Sequence, residues 1–152
     1  MNYKDKWVVF FATGGYIGKI PFAPGTFGTL PGVLICYVMS CMGIPAAVGI
    51  AVLLTIVSIW ISERAEFLLN QKDPGCIVID EIAGMAITLL GLPFNALTVV
   101  AGFVLFRLFD ILKPWPVGYL DRNLSGGTGI VLDDVAAGIL ANIVIRLFYG
   151  VF

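Results

Sequence analysis

The stretch IVLDDVAAGILANIVIRLFYGVF, residues 130–152, has the apolar composition of a membrane span, yet two adjacent carboxylates, Asp133 and Asp134, lie near its start. A second stretch, IVIDEIAGMAITLLGLP at residues 77–93, repeats the arrangement with an Asp-Glu pair. A carboxylate inside a membrane helix costs about 2.5–3.5 kcal/mol on insertion scales, and two adjacent carboxylates also repel each other. A sequence that carries this cost twice is expected to use the charges.

The composition of the chain predicts an all-α, polytopic membrane protein. Hydrophobic residues make up 59% and charged residues 12% of the 152 residues, whereas soluble domains average roughly half and a quarter. At about 20 residues per span, one domain over residues 1–152 has room for about five spans. The apolar stretches lie at about 30–44, 46–62, 76–92, 96–112 and 130–150. A soluble helical bundle is the alternative, which uniformly apolar helices disfavour because only a larger protein could bury them.

The breaks between these stretches predict the topology. Two uncharged Gly-x-Pro breaks, GIP at 43–45 and GLPFN at 91–95, indicate two helical hairpins followed by a C-terminal span. The other connections, 62–75 and 113–129, are charged, and all lysines and arginines except Arg146 fall on their side. The positive-inside rule therefore places the charged helix ends at the cytoplasmic face. Three acids of the first charged connection are expected only to solvate a loop: Glu63, Glu66 and Asp73.

Several classes of function are excluded by residues that the chain lacks. It contains no histidine, which excludes Ser-His-Asp triads, His-ligated zinc and phosphohistidine enzymes. Its three cysteines form neither a C-x-x-C pair nor a cysteine-phosphatase loop, and the absence of D-x-D argues against an aspartyl-phosphate enzyme of the haloacid-dehalogenase type. The net charge of −1 provides no basic surface for nucleic acid.

The acidic residues of three apolar stretches predict a metal site. Asp110, in FRLFDILKPWP at 106–116, joins the two acidic pairs at the same face of the protein. Hard divalent ions such as Mg²⁺ take carboxylate oxygens together with waters and substrate phosphates. We expect one or two Mg²⁺ ions with the following ligands: Asp80, Glu81, Asp133 and Asp134. The alternative is that each pair caps a helix start and interacts with its dipole.

Glycines one turn below the acids suggest how two helices could meet. Asp80 shares a helical face with Gly84, and Asp134 shares one with Gly138. Glycine allows the backbones of neighbouring helices to approach closely. Packing through Gly84 and Gly138 would therefore bring Asp80 and Asp134 together.

Basic and hydroxyl side chains near the acids are candidates for binding phosphate. A spacing of three residues places Arg107, Asp110 and Lys113 along one edge of a helix. On this edge, we expect the two cations to bind a phosphate. The alternative is a structural ladder of ion pairs. Two glycine-rich loops, PFAPGTFGTLPG at 21–32 and LDRNLSGGTG at 120–129, supply further candidates. These are Thr26, Thr29, Asp121, Arg122 and Asn123, with Thr29 as the expected cap of a helix that has Pro31 in its first turn.

The motifs together resemble the phosphatidylglycerophosphatase A family. PGTFGTLPG, IVIDEIAGM, FRLFDILKPWP and DRNLSGGTGIVLDDVAAGI occur in the order of that family, and the similarity covers about residues 10–150. The resemblance implies a multi-pass lipid phosphatase of the bacterial cytoplasmic membrane, with its active site on the cytoplasmic side. It would use Mg²⁺ to hydrolyse phosphatidylglycerophosphate to phosphatidylglycerol and phosphate.

For such an enzyme, the expected catalytic residues are Asp80, Asp110 and Asp134, with Asp80 or Asp110 as the general base. Direct attack by water and a covalent phospho-enzyme through Thr26 or an aspartate both remain open. A cation- or proton-coupled transporter is the rival function, which the clustering of the acids at one set of helix ends disfavours. A lipid phosphotransferase would use aspartates widely spaced over two helices, a pattern absent from this sequence. Release of orthophosphate would separate a phosphatase from both rivals.

Overall fold

The computed structural model describes residues 2–150, so Met1, Val151 and Phe152 lie outside the described residues. All regular elements in the described part are helical, which confirms the all-α class. They are α1 (Tyr3–Ala12), α2 (Pro24–Ser40), α3 (Ile44–Leu69), α4 (Ile79–Thr88), α5 (Ala96–Leu112), α6 (Val117–Asn123) and α7 (Gly126–Tyr149), with a 3-10 turn at Ile17–Lys19 between α1 and α2.

The short helix α4 lies at the centre of the fold and packs against α2, α3, α5 and, most extensively, α7. A Cβ atom on Gly84 of α4 would lie 2.5 Å from Cε2 of Phe106 and 2.9 Å from the carbonyl oxygen of Asp134. A Cβ atom on Gly138 of α7 would overlap the carbonyl oxygen of Gly84. The predicted close packing of these two helices through their glycines is therefore confirmed.

Both predicted Gly-x-Pro breaks are confirmed as helix boundaries. The first separates α2 from α3, which begins at Ile44 with Pro45 in its first turn, where the missing N–H of proline needs no partner. The second separates α4 from α5, and Asn95 caps α5 by accepting a hydrogen bond from the backbone N–H of Thr98 at 3.0 Å.

The start of α2 differs from the prediction. The helix begins at Pro24, and Thr29 does not cap it: its buried hydroxyl donates to the carbonyl oxygen of Gly25 at 2.8 Å. Pro31 accordingly lies inside the helix and not in its first turn. The glycines of this segment serve packing against α4, since a Cβ atom on Gly32 would lie 2.8 Å from Cβ of Met85. The expectation of a capping threonine was wrong because this tertiary contact favours helix from the first proline onward.

The first charged connection is largely helical, because α3 continues to Leu69. Glu63 accepts a hydrogen bond from the backbone N–H of Gly127 and so caps α7, whose N-cap residue, Ser125, provides no side-chain hydrogen bond. Glu66 accepts one from the backbone N–H of Asp73 at 3.0 Å. The expectation that Glu63 and Glu66 only solvate a loop was wrong, because free N–H groups at helix ends and turns need acceptors.

The described structure contains one helix, α3, that is long and apolar enough to cross a membrane by its length and composition. Helices α2 and α5 have 17 residues each and α4 has ten, while α7 carries the second acidic pair. The five-span topology accordingly remains a prediction.

Arg146, the cation that the sequence separates from the others, stabilises the C-terminal end of α4. Asn142 donates from Nδ2 to the carbonyl oxygens of Thr88 at 2.9 Å and Leu90 at 3.0 Å. Arg146 donates from Nη2 to Leu90 at 2.9 Å and from Nε to Oδ1 of Asn142 at 2.8 Å. These side chains satisfy carbonyl groups that a helix end leaves without partners, and the cation suits the helix dipole.

Replacing Asn142 by alanine is expected to lower the free energy of unfolding by about 1–3 kcal/mol, because the carbonyl groups that it serves lose donors away from water. Denaturant-induced unfolding in detergent, followed by circular dichroism, measures the effect. Ile143→Ala is the matched control, since the neighbouring side chain is 46% exposed. An equal loss of stability in both variants would contradict the capping role.

Candidate metal and phosphate site

Five acids from three helices converge at one end of the molecule: Asp80 and Glu81 of α4, Asp110 of α5, and Asp133 and Asp134 of α7. One oxygen each from Asp80, Glu81 and Asp134 lie within 4.8 Å of one another. The same holds for Asp110, Asp133 and Asp134. Asp134 thus belongs to both groups, and the predicted convergence of the acids is confirmed.

Three oxygens of the first group have no hydrogen-bond partner among residues 2–150. Oδ1 of Asp80, Oε2 of Glu81 and Oδ2 of Asp134 are buried and accept no hydrogen bond. Buried charged oxygens require a cation or a donor, since their desolvation is otherwise uncompensated. A compact set of carboxylate oxygens without nitrogen or sulfur suits a hard divalent ion such as Mg²⁺. The residues present therefore fit a metal of this class.

Helix capping accounts for one acidic pair at most. Asp80 and Glu81 lie in the first turn of α4, where they also suit the helix dipole. Asp133 and Asp134 lie about two turns into α7, which begins at Gly126, so the free N–H groups of its start are out of their reach. Capping is therefore contradicted as the explanation of the second pair.

Arg107 pairs with acids from both α4 and α5. Its Nη1 lies 2.7 Å from Oδ2 of Asp110 and 3.6 Å from Oε1 of Glu81. These contacts are ionic, because neither Nη1 nor Nε of Arg107 makes a hydrogen bond within the part of the chain that the structure describes. Gly25 of α2 makes room for this pair, since a Cβ atom there would lie 2.9 Å from Nη2 of Arg107 and overlap Oε1 of Glu81.

Lys113 is the residue that directly follows the last helical residue of α5. It ends α5 in the left-handed conformation, with φ 46°, and its Nζ donates to Oδ2 of Asp133 at 2.9 Å and to Oδ1 of Asp121. Burial alone would lower the pKa of Lys113, but the hydrogen bonds to Asp121 and Asp133 raise that pKa overall above its ordinary value. Its Nζ has two acceptors among the described residues, so the third of its three N–H donors is available to a ligand.

The acids and Lys113 line a cavity of about 180 Å³. The end of α3, the loop that follows it and α6 complete the wall with Glu66, Lys72, Asp73 and Asp121. The sequence predicted Asp121 as a candidate phosphate ligand, but it did not predict that Lys72 lines this cavity. Lys72 could have been found from its place in the first charged connection, which is predicted to lie on the same side of the membrane as the acidic pairs.

The remaining predicted phosphate ligands lie outside the cavity lining. Thr26 is half-buried in the first turn of α2, and Thr29 is buried and bonded to its own helix. Arg122 and Asn123 are exposed on α6, where Asn123 donates to the carbonyl oxygen of Tyr119 at 2.7 Å. Arg107 reaches the cavity through its acidic partners. The structure brings Lys113 to the acids directly and leaves the roles of the others as predictions.

Comparison with known proteins gives consistent matches. The profile of the phosphatidylglycerophosphatase A family matches residues 10–149. Phosphatidylglycerophosphatase A of Escherichia coli is 37% identical over 131 residues, which cover 86% of this chain and 76% of that protein. The protein of the same name from Haemophilus influenzae is 37% identical over 136 residues, which cover 88% and 83%.

A third relative carries a different name. A Bacteroides thetaiotaomicron protein, provisionally named a phosphatidylinositol-3-phosphatase, is 37% identical over 148 residues, which cover 91% of each chain. No solved structure matches the chain significantly.

Proposed function

The chain belongs to the phosphatidylglycerophosphatase A family, and on that premise we propose that it hydrolyses phosphatidylglycerophosphate to phosphatidylglycerol and phosphate with the help of Mg²⁺. The family supports a phosphatase that acts on a phospholipid phosphate. The observation that carries the proposal is the pair of acidic groups that share Asp134, with unpartnered buried oxygens beside a charged lysine.

The choice of substrate follows the names of two relatives, and a second candidate follows the third. The headgroups of phosphatidylglycerophosphate and phosphatidylinositol 3-phosphate carry the same two kinds of phosphate ester. Each carries a phosphomonoester on a polyol, which a phosphodiester joins to diacylglycerol. The reacting group is the same in both lipids, so the acidic site suits either substrate, and the identity of the polyol is decided elsewhere in the cavity.

The acids divide into two sets of proposed metal ligands. Asp80, Glu81 and Asp134 form the first set. Asp110, Asp133 and Asp134 form the second, in which Oδ1 of Asp133 also accepts from the backbone N–H of Asp134 at 3.0 Å and Oδ2 accepts from Lys113. Mg²⁺ bound there would neutralise phosphate oxygens and favour ionisation of an attacking water.

The other groups of the site act on the phosphate and on the proton. The free N–H of Lys113 would donate to a non-bridging oxygen, where negative charge must be stabilised during transfer. Asp80 or Asp110 would accept the proton of the attacking water as general base. Arg107 would hold Asp110 and Glu81 in place, because its guanidinium lies between their carboxylates. Whether a phospho-enzyme forms is decided by trapping with labelled substrate.

We also place the site at the cytoplasmic surface of a bacterial membrane, with the chain crossing the bilayer several times. Large apolar side chains are exposed on the long helices, for example Leu34 on α2 at 70%, Leu53 on α3 at 62% and Phe148 on α7 at 88%. Water disfavours such surfaces and lipid favours them. A lipid headgroup could then reach the acids without leaving the membrane.

Removal of Mg²⁺ tests the proposal directly. The purified protein in detergent is expected to release phosphate from phosphatidylglycerophosphate with Mg²⁺ and to lose about a thousandfold in rate with EDTA, since metal stabilisation supplies several kcal/mol. Added excess Mg²⁺ should restore the rate. No release from folded protein supplied with Mg²⁺ would overturn the phosphatase, and faster release from phosphatidylinositol 3-phosphate would select the second substrate.

A further inference from the structure

The two lysines in the wall of the acidic cavity are in different electrostatic states. Lys113 pairs with Asp121 and Asp133. Within residues 2–150, Lys72 makes neither an ion pair nor a side-chain hydrogen bond, although eight carboxylates line the same cavity. These are Glu66, Asp73, Asp80, Glu81, Asp110, Asp121, Asp133 and Asp134. The positive charge of Lys72 is therefore free for a ligand.

The loop that carries Lys72 is held in place on both sides. Before it, Asn70 ends α3 in the left-handed conformation, with φ 49°. After it, Asp73 donates its backbone N–H to Oε1 of Glu66 at 3.0 Å. Pro74 is buried and accepts from the backbone N–H of Ile77 at 2.9 Å. The lysine thus projects from a backbone that several contacts orient, and not from a free tail.

The proposed substrate carries a second negative charge, on its phosphodiester, which also needs a binding partner in the protein. When the phosphomonoester lies at the acids and Lys113, the phosphodiester lies a few bonds away, on the side of the headgroup that is attached to diacylglycerol. Apart from Lys113, the charged residues of the cavity wall are carboxylates, which repel a phosphodiester, and Lys72, which has no ion-pair partner within residues 2–150. An anion in such surroundings is stabilised when a charged donor meets it.

We propose that Lys72 binds the phosphodiester of the substrate and so selects lipids in which a phosphodiester and a phosphomonoester occur on one headgroup. This inference rests on the proposed function, and it assigns to Lys72 a role in specificity distinct from that of the groups that meet the reacting phosphate. Phosphatidate, which has a single phosphomonoester, would gain nothing from Lys72.

The test separates the two phosphates by inhibition. Phosphatidylglycerol carries the phosphodiester alone, and inorganic phosphate represents the reacting group alone. In mixed micelles with a constant mole fraction of lipid, Lys72→Gln is expected to raise KM for phosphatidylglycerophosphate and KI for phosphatidylglycerol about tenfold. Its KI for inorganic phosphate and its kcat should stay within twofold of the wild type. A tenfold change in KM or KI corresponds to the loss of one hydrogen bond to a charged group.

Two further variants control the result. Lys72→Arg keeps the charge and should return KM and the KI for phosphatidylglycerol towards wild-type values. Lys4→Gln removes an exposed lysine of α1 that lies outside the cavity wall, and it should change none of the constants. Equal changes in all three constants of Lys72→Gln, or no change in any, would overturn the inference. Failure of the wild type to release phosphate would instead overturn the proposed function.

Discussion

Asp134→Asn is expected to lower Mg²⁺-dependent phosphate release at least about a thousandfold while the protein stays folded. Asp134 is 3% exposed and contributes to both acidic groups, and its Oδ2 has no hydrogen-bond partner among the described residues. Asparagine preserves the size of the side chain and one oxygen, but it removes the negative charge on which a hard cation depends. The comparison is the initial rate of phosphate release at saturating Mg²⁺.

A stability measurement distinguishes loss of the site from loss of the fold. Without metal, the clustered carboxylates repel one another, so removal of one charge should leave Tm unchanged or raise it. Mg²⁺ should raise Tm of the wild type, because a ligand that binds the folded state stabilises it, and should fail to raise Tm of Asp134→Asn.

Asp5→Asn serves as the control, because Asp5 belongs to α1 and lies outside the acidic groups. It should keep both the rate and the Mg²⁺ response. Full activity of Asp134→Asn would remove Asp134 from the site. A large fall in its metal-free Tm would assign to it a structural role.

Features that depend on local sequence could be predicted. The Gly-x-Pro breaks ended helices as expected, because proline and glycine act on their own segment of backbone. The approach of Asp80 to Asp134 also followed from local spacing, since each acid lies one turn from a glycine and glycines allow close helix contact.

Features that depend on distant partners could not be predicted. The spacing of Arg107, Asp110 and Lys113 indicated one edge, but it did not show that Lys113 pairs with Asp121 and Asp133. Glu63 caps a helix that begins 63 residues later in the chain. These partners lie outside the segments that carry Lys113 and Glu63, so local spacing alone could not identify them.

Gly138→Ala tests whether the contact between α4 and α7 positions the acids. The added Cβ atom would overlap the carbonyl oxygen of Gly84 and lie 3.2 Å from Oγ1 of Thr88. Because the carbonyl oxygen of Gly84 belongs to a helix backbone, it cannot move aside as a side chain can. Helices α4 and α7 must therefore separate one turn below Asp134. We expect a fall of about 1–3 kcal/mol in the free energy of unfolding, as for other overpacked interiors. A displacement of the acids by about 1 Å would also reduce phosphate release up to about a hundredfold.

Gly49→Ala is the matched control, because the same change in the interior of α3 meets no atom within 4 Å. Alanine favours helix over glycine by about 0.5–1 kcal/mol, so this variant should be as stable as the wild type or more stable. Rates compared at a temperature where both variants are fully folded separate geometry from unfolding. If Gly138→Ala is then as active as Gly49→Ala, the acids do not depend on the glycine contact. A selective loss of rate and of Mg²⁺ affinity in Gly138→Ala would show that a residue without a side chain sets the spacing of the carboxylates.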